Sequence, residues 1–363
     1  MSALEAHRVR PVTVLTGFLG SGKTTTLGRL LKTPEFAGTV VIINEFGEIG
    51  LDHLLIETSE ERFALLDNGC VCCTVRDDLV ETLLRLVTRA ARRELADFRR
   101  VVVETTGLAD PAPILHALMV EPRLVEAYRI DGVLATVDAV NGLVTLSAHK
   151  PAVKQVALAD CLLVTKTDLV EEEALTLLLS QLSALNPTAT LIQVRAGDAP
   201  AAALIGVGLE AARGRPGEII DWFENAASAA GPRRAEPHDA TCGDPCCADP
   251  GHGEDISSFS IVIDHPVEWS AFRRWLEYLA MLKGEDLLRF KGLINIAERP
   301  DRPIVVHGVQ HVFHPPQDLA AWPGTDRRTR LVFITRGIPR TLIENTLSKF
   351  AAIDVARMRR PAV

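Results

Sequence analysis

The sequence has no uninterrupted apolar run of 18 residues, so no transmembrane helix is indicated. It also lacks the apolar core of a secretory signal, since Glu5, His7, Arg8 and Arg10 crowd the region before Pro11. It has no positive excess. Lys+Arg 39 against Asp+Glu 47 leaves a net charge of -8, the wrong balance for a chain built mainly to coat nucleic acid. Nor does it have an even set of cysteines. The seven are Cys70, Cys72, Cys73, Cys161, Cys242, Cys246 and Cys247, two tight clusters and one singleton. In a chain of 363 residues that pattern reads as metal or redox chemistry, not a secreted disulfide framework. The expectation is a cytoplasmic protein with free thiols, no membrane association and no nucleic-acid partner.

What is present is globular material, 47% hydrophobic and 24% charged. At about 150 residues per domain, the length suggests two domains. Short β-branched runs alternate with helical stretches. Val12–Thr16, Val40–Ile43, Phe63–Leu66, Val101–Glu104, Gly132–Asp138, Cys161–Thr165 and Thr190–Val194 read as strands, and Asp78–Leu95 as a helix. Near-continuous apolar strands imply a parallel sheet covered on both faces, hence a doubly wound α/β domain with ligands at the strands' carboxyl ends. Around Ala226–Asp255 periodicity gives way to Gly, Pro, Ala and charge, which predicts a linker. Beyond it, strands at Ser258–Ile263, Leu287–Ala297, Pro303–Val306 and Arg330–Thr335, with helices at Trp269–Leu282 and Pro339–Phe350, predict a smaller α+β domain. The division is thus 1–225, 226–255 and 256–363.

Gly17-Phe18-Leu19-Gly20-Ser21-Gly22-Lys23-Thr24 matches G-x-x-x-x-G-K-[ST] and follows directly on a predicted strand. Such a loop aims backbone N–H groups at phosphate oxygens, at the positive end of the helix that follows. Lys23 supplies charge to the β- and γ-phosphates, and Thr24 offers a hydroxyl to Mg²⁺. Gly17, Gly20, Ser21, Gly22 and Thr25 complete the expected phosphate site. Glu104-Thr105-Thr106-Gly107 closes another strand. Its carboxylate suits the Mg²⁺ shell, and Gly107 lets an N–H approach the γ-phosphate. No residue stands out as a general base, which predicts slow turnover driven by positioning and charge.

Thr165-Lys166-Thr167-Asp168 stands where GTPases carry an [N/T]-K-x-D base box. A buried Asp168 carboxylate would accept from guanine N1–H and the 2-amino group together, a donor pair that adenine lacks. Lys166 would lie along the base face. GTP is therefore favoured over ATP, with Thr165 in place of the common Asn.

Cys70-Val71-Cys72-Cys73 puts three thiols within four residues beside Gly69. Thiolates prefer Zn²⁺ or Cu⁺ to hard cations, and three sulfurs leave one position of a tetrahedral site open for a carboxylate, water or exchange partner. Glu45 and Glu48, in Asn44-Glu45-Phe46-Gly47-Glu48, offer carboxylates from a segment placed to sense the γ-phosphate as well. One loop biased by both ligands is what coupling between two sites requires.

The strings GFLGSGKTTTL, INEFGEIGLD, GCVCC, ETTGLADP and TKTDL occur in the order found in the CobW-like metallochaperone GTPases, which this chain resembles over residues 11–336 apart from the linker. FKGLINIAERPDRPIVVHGVQHVFHPP likewise resembles that family's C-terminal domain. The resemblance implies a P-loop GTPase domain followed by a CobW-type domain, and GTP-dependent handling of a divalent metal through the C-x-C-C motif; release of the ion to a client apo-metalloprotein is the expectation. It carries the family's metal ligands onto Cys72 and Cys73, with Cys70 and Glu45 or Glu48 as further candidates. The family's cargoes include zinc, cobalt for cobalamin synthesis, and iron or cobalt for nitrile hydratase. Soft ligands favour Zn²⁺ here, with Co²⁺ the nearest alternative. Metal buffering with incidental turnover, and an ATPase or small-molecule kinase with structural zinc, are the competing readings.

Three features stand outside these motifs. His238, Cys242, Cys246, Cys247 and His252 give the linker soft ligands. His307, His311 and His314 surround a turn, and Arg89, Arg92, Arg93, Arg99 and Arg100 read as a solvated basic face. Cys161 opens an apolar strand and reads as core.

Overall fold

A computed structural model describes residues 9–44, 63–65, 74–208, 256–351 and 358–359. Seven strands form the first sheet: β1 (Arg10–Gly17), β2 (Thr39–Asn44), β3 (Phe63–Leu65), β4 (Arg100–Thr105), β5 (Tyr128–Asp138), β6 (Cys161–Thr165) and β7 (Thr190–Gln193). All pair in parallel, in the order β3-β2-β4-β1-β5-β6-β7. Between them run α1 (Lys23–Leu30), α2 (Thr74–Ala91), α3 (Ala112–Val120), α4 (Pro122–Ala127), α5 (Gly142–Ala148), α6 (Lys150–Leu158) and α7 (Glu172–Leu185). Every residue of β6, and all of β1 beyond Pro11, is buried, as strands covered on both faces require. The chain builds outward from β1 to one side and then the other, so the end of β1 sits at the crevice where open α/β sheets take their ligands.

The second sheet is antiparallel, in the order β11-β10-β9-β13-β8-β14 with β12 beside β10. Its strands are β8 (Ile256–Ile263), β9 (Leu287–Ile294), β10 (Ile304–Val309), β11 (Val312–Phe313), β12 (Gln317–Asp318), β13 (Thr329–Arg336) and β14 (Met358–Arg359). Helices α8 (Trp269–Lys283) and α9 (Arg340–Ala351) pack their apolar faces on it around Trp275, Phe290 and Phe333. The expected strands and helices thus recur with shifted ends, Leu287–Ala297 stopping at Ile294 and the helix over Asp78–Leu95 running Thr74–Ala91. The Ala226–Asp255 linker and its ligands lie outside the described residues.

The two sheets share one hydrophobic cluster, in which Leu288, Val309 and Ile334 join Leu115, Ala157 and Leu158. A polar contact sits in the same boundary. Asp160, two residues past α6, is buried and accepts from Arg289 Nη2, with Lys291 Nζ at 3.3 Å. Its other oxygen accepts the Val133 N–H at 3.0 Å. Burial alone would raise this carboxyl, but the two cations and the N–H hold it below its ordinary value. Removing one partner of such a buried set costs on the order of 3–5 kcal/mol. One expectation is corrected here. Arg100 belongs to no solvated face, because its side chain is only 12% exposed, lies 3.8 Å from Asp131 and covers the Phe36 ring. A residue that opens a strand is drawn into the sheet. Cys161 is fully buried, and burial pushes its thiol up to about 12.

His307 and His314 pack with their rings tilted, 3.7 Å between centroids, beside Arg289 and Lys291. Burial first, then each other or the neighbouring cations, keeps both neutral, His314 down to about 4. An unfolded chain takes up these protons as pH falls below about 6.5, whereas the folded chain resists until far lower. Stability therefore falls from pH 6.5 toward pH 4, the value to which His314 is held, by up to about 1.4 kcal/mol per pH unit for each histidine. Urea unfolding at about pH 7.5 and 5 checks this. His314→Gln should lose less stability on acidification than the parent chain, and equal losses would contradict the assignment.

Candidate functional site

The phosphate loop runs from the end of β1 to the start of α1. Gly17 has φ +143, and a Cβ there would lie 2.2 Å from Thr136 Oγ1 and 2.5 Å from Thr136 O. Only glycine lets the loop cross so close to β5. The loop is tied down by hydroxyls. Ser21 Oγ and Thr136 Oγ1 are 2.6 Å apart, Thr105 Oγ1 donates to Thr16 Oγ1 at 2.8 Å, and Thr165 Oγ1 donates to Ser21 O at 2.7 Å. Thr165, the departure in the base box, is thus buried and bonded to the loop. Such bonds contribute about 1 kcal/mol each, but their main effect is to fix the loop's path.

Lys23 donates to Gly17 O at 2.8 Å and Phe18 O at 3.2 Å. Burial lowers its ammonium from the ordinary value, while the Glu104 carboxylate pulls the other way. Thr24 Oγ1 donates to Glu104 Oε1 at 2.7 Å, and Glu104 is itself buried. A hydroxyl and a carboxylate oxygen touching beside the loop are the hard donors that suit Mg²⁺. Thr25 is exposed on the first turn of α1, next to the Gly197 turn. Gly107 packs on the loop from the β4 side, where a Cβ would come 2.6 Å from Leu19 N. Gly17, Gly20, Ser21, Gly22, Lys23, Thr24, Glu104 and Gly107 thus gather at one end of β1.

The base box closes the same edge at β6. Lys166, with left-handed φ 57, reaches Asp138 Oδ2 at 2.7 Å. Burial would raise the Asp138 carboxyl, but Lys166, Asn141 Nδ2 at 3.0 Å and the Val140 N–H at 2.8 Å together hold it low. Asp168 is exposed on a single turn after β6, not buried as expected, because the strand has already ended at Thr165. Its Oδ1 accepts the Ala196 N–H at 3.1 Å. That contact adds the Ala196–Gly197 turn, both residues at positive φ, to the site. Sequence reasoning missed this turn and Asp138, although Gly197 just past a strand was a usable signal. Behind the loop lies a cavity of about 360 Å³ bounded by Phe18, Leu19, Ser21, Asp138, Gln155 and Lys166.

Cys70, Cys72, Cys73, Glu45 and Glu48 lie outside the described residues. Among the described residues no group of three or more His, Cys, Asp or Glu is placed to hold a metal ion. His307, His311 and His314 do not converge: His311 meets His116 edge-on at 4.5 Å, while His307 pairs with His314. No helix among the described residues is long and apolar enough to cross a membrane.

Residues 11–193 match the family described as CobW/HypB/UreG, nucleotide-binding domain, and residues 256–351 match the cobalamin synthesis protein cobW C-terminal domain. The zinc chaperone YjiA of Escherichia coli is 33% identical over 328 residues, covering 90% of this chain and 94% of that protein. The zinc-regulated GTPase metalloprotein activator 1 of Schizosaccharomyces pombe is 28% identical, covering 84% and 76%. The crystal structure of the Zn(II)-bound YjiA GTPase from E. coli superposes with a TM-score of 0.69 at 28% identity, over 94% of this chain and 99% of that one. This chain belongs to the CobW/HypB/UreG nucleotide-binding family and carries the CobW C-terminal domain.

Proposed function

We propose that this chain is a GTP-dependent metallochaperone that carries zinc at Cys70, Cys72 and Cys73, with Glu45 or Glu48 as a further ligand, and passes it to a client apo-metalloprotein. What supports the reading is the convergence of Lys23, Thr24, Glu104, Gly107 and Asp168 on one sheet edge, in a chain whose relatives are named zinc chaperones. GTP is the substrate of the phosphate loop. The Lys23 ammonium leaves the loop carbonyls for phosphate oxygens, and the Gly107 N–H meets the γ-phosphate. Bound Mg²⁺ neutralises phosphate charge, and Thr24 and Glu104 are the residues that would hold it. Water then displaces GDP from the γ-phosphoryl group. With Glu104 given to Mg²⁺ and no general base assigned among the described residues, turnover is slow and set by positioning. The GTP state closes the Glu45–Glu48 segment over the thiolate-bound ion, and hydrolysis loosens it. Free thiols suit a reducing compartment, which the proposal takes to be the cytoplasm.

Three variants test this. Lys23→Ala should lower phosphate release from GTP about 100-fold or more, by the usual cost of one transition-state donor. Cys72→Ser with Cys73→Ser should abolish zinc dependence of the rate while leaving zinc-free turnover in place, and a retained zinc response would move the metal elsewhere. Asp168→Asn should reduce the preference for GTP over ATP by about tenfold or more, read from competition binding. Unchanged selectivity would remove Asp168 from base recognition.

A further inference from the structure

The segment after β4, Gly107–Asp110, is held from outside its own loop by α6. Gln155 is 1% exposed, and its Nε2 donates to Gly107 O at 3.1 Å and to Ala109 O at 3.0 Å. Both partners are carbonyls, so only the amide nitrogen can face them. One residue earlier, Lys154 Nζ donates to Asp110 Oδ2 at 2.6 Å, and Asp110 Oδ1 accepts the Ala112 N–H at 3.0 Å at the start of α3. On the other side of Gly107 lies the phosphate loop, with Leu19 N too close for any Cβ. Gly107 is therefore clamped between the loop backbone and the Gln155 amide. Holding its carbonyl restricts rotation about the one residue whose N–H is assigned to the γ-phosphate. The same helix meets the loop again at its start, where His149 stacks on Phe18 at 4.6 Å.

We propose that Gln155, assisted by Lys154, is a positioning residue for γ-phosphate recognition: it presents Gly107 to the terminal phosphate of a nucleoside triphosphate. The proposal rests on the GTPase reading above. A diphosphate does not reach Gly107, so the clamp acts on triphosphate alone. A residue that merely supports the fold would affect both nucleotides equally.

The test uses the full chain with Gln155→Leu, Gln155→Glu and Lys154→Met. Dissociation constants for GDP and for the non-hydrolysable analogue GMPPNP are measured with Mg²⁺, alongside kcat and KM for GTP. Gln155→Leu and Gln155→Glu should bind GDP within about twofold of the parent, lose about tenfold or more in GMPPNP affinity relative to GDP, and lose kcat. Lys154→Met, which removes only a partly exposed ion pair, should show the same pattern more weakly. It carries the test if the Gln155 variants do not fold. Equal loss for GDP and GMPPNP, or no change in either, overturns the proposal. A parent chain that binds neither nucleotide overturns the GTPase reading first, and is distinguished by failing before any substitution is made.

Discussion

Four neighbouring strands each carry a threonine within their last three residues at the carboxyl edge of the first sheet, and the phosphate loop depends on the hydroxyls they supply. Thr16, Thr105, Thr136 and Thr165 are all 3% exposed or less and join β1, β4, β5 and β6 below the loop. A β-branched side chain suits a buried parallel strand, and its hydroxyl satisfies backbone groups that the loop leaves open. Through this layer the loop keeps one path, with Gly17 pressed on Thr136 and Ser21 held from both sides. The position of Lys23 follows from that path, as do the contacts of Thr24 with Glu104 and of Leu19 with Gly107.

From the loop, physical continuity runs toward the second sheet along two helices. Asp110 starts α3, whose His116 ring nitrogen lies 3.1 Å from Val309 O on β10. Gln155 and Lys154 lie on α6, and Asp160 just beyond it meets Arg289 and Lys291 of β9. Both helices are tied to the Gly107–Asp110 segment and both land on the C-terminal domain. The Gly107–Asp110 segment and the boundary between the sheets are thus joined by continuous contacts along both helices.

Much of this was legible in the residues. The phosphate loop has fixed spacing, and strands buried on both faces spell themselves as apolar runs, so β1, β4 and β6 were found within a residue or two. The roles of Asp138, Gln155 and Ala196 were not legible, and Gly197 signalled a turn without its partner. Each acts through a contact between segments far apart in the chain, such as the 48 residues between Gln155 and Gly107. Local pattern carries no trace of such pairs. Thr165 read only as a departure in the base box, and its bond to Ser21 O, 144 residues away, left no local trace. Arg100 read as surface because its neighbours in sequence are surface, while its partner Asp131 lies on another strand. The Cys70–Cys73 thiols are legible only as chemistry, and their assignment rests on ligand softness and family.

Nucleotide state and metal affinity are one equilibrium in the proposed function, which assigns γ-phosphate sensing and closure on the ion to one segment. Linkage makes that a quantity. The direct measurement is zinc affinity by chelator competition with the protein loaded with GMPPNP or with GDP. The account predicts tighter zinc binding in the triphosphate state, by about tenfold or more. Equal affinity in the two states would contradict it.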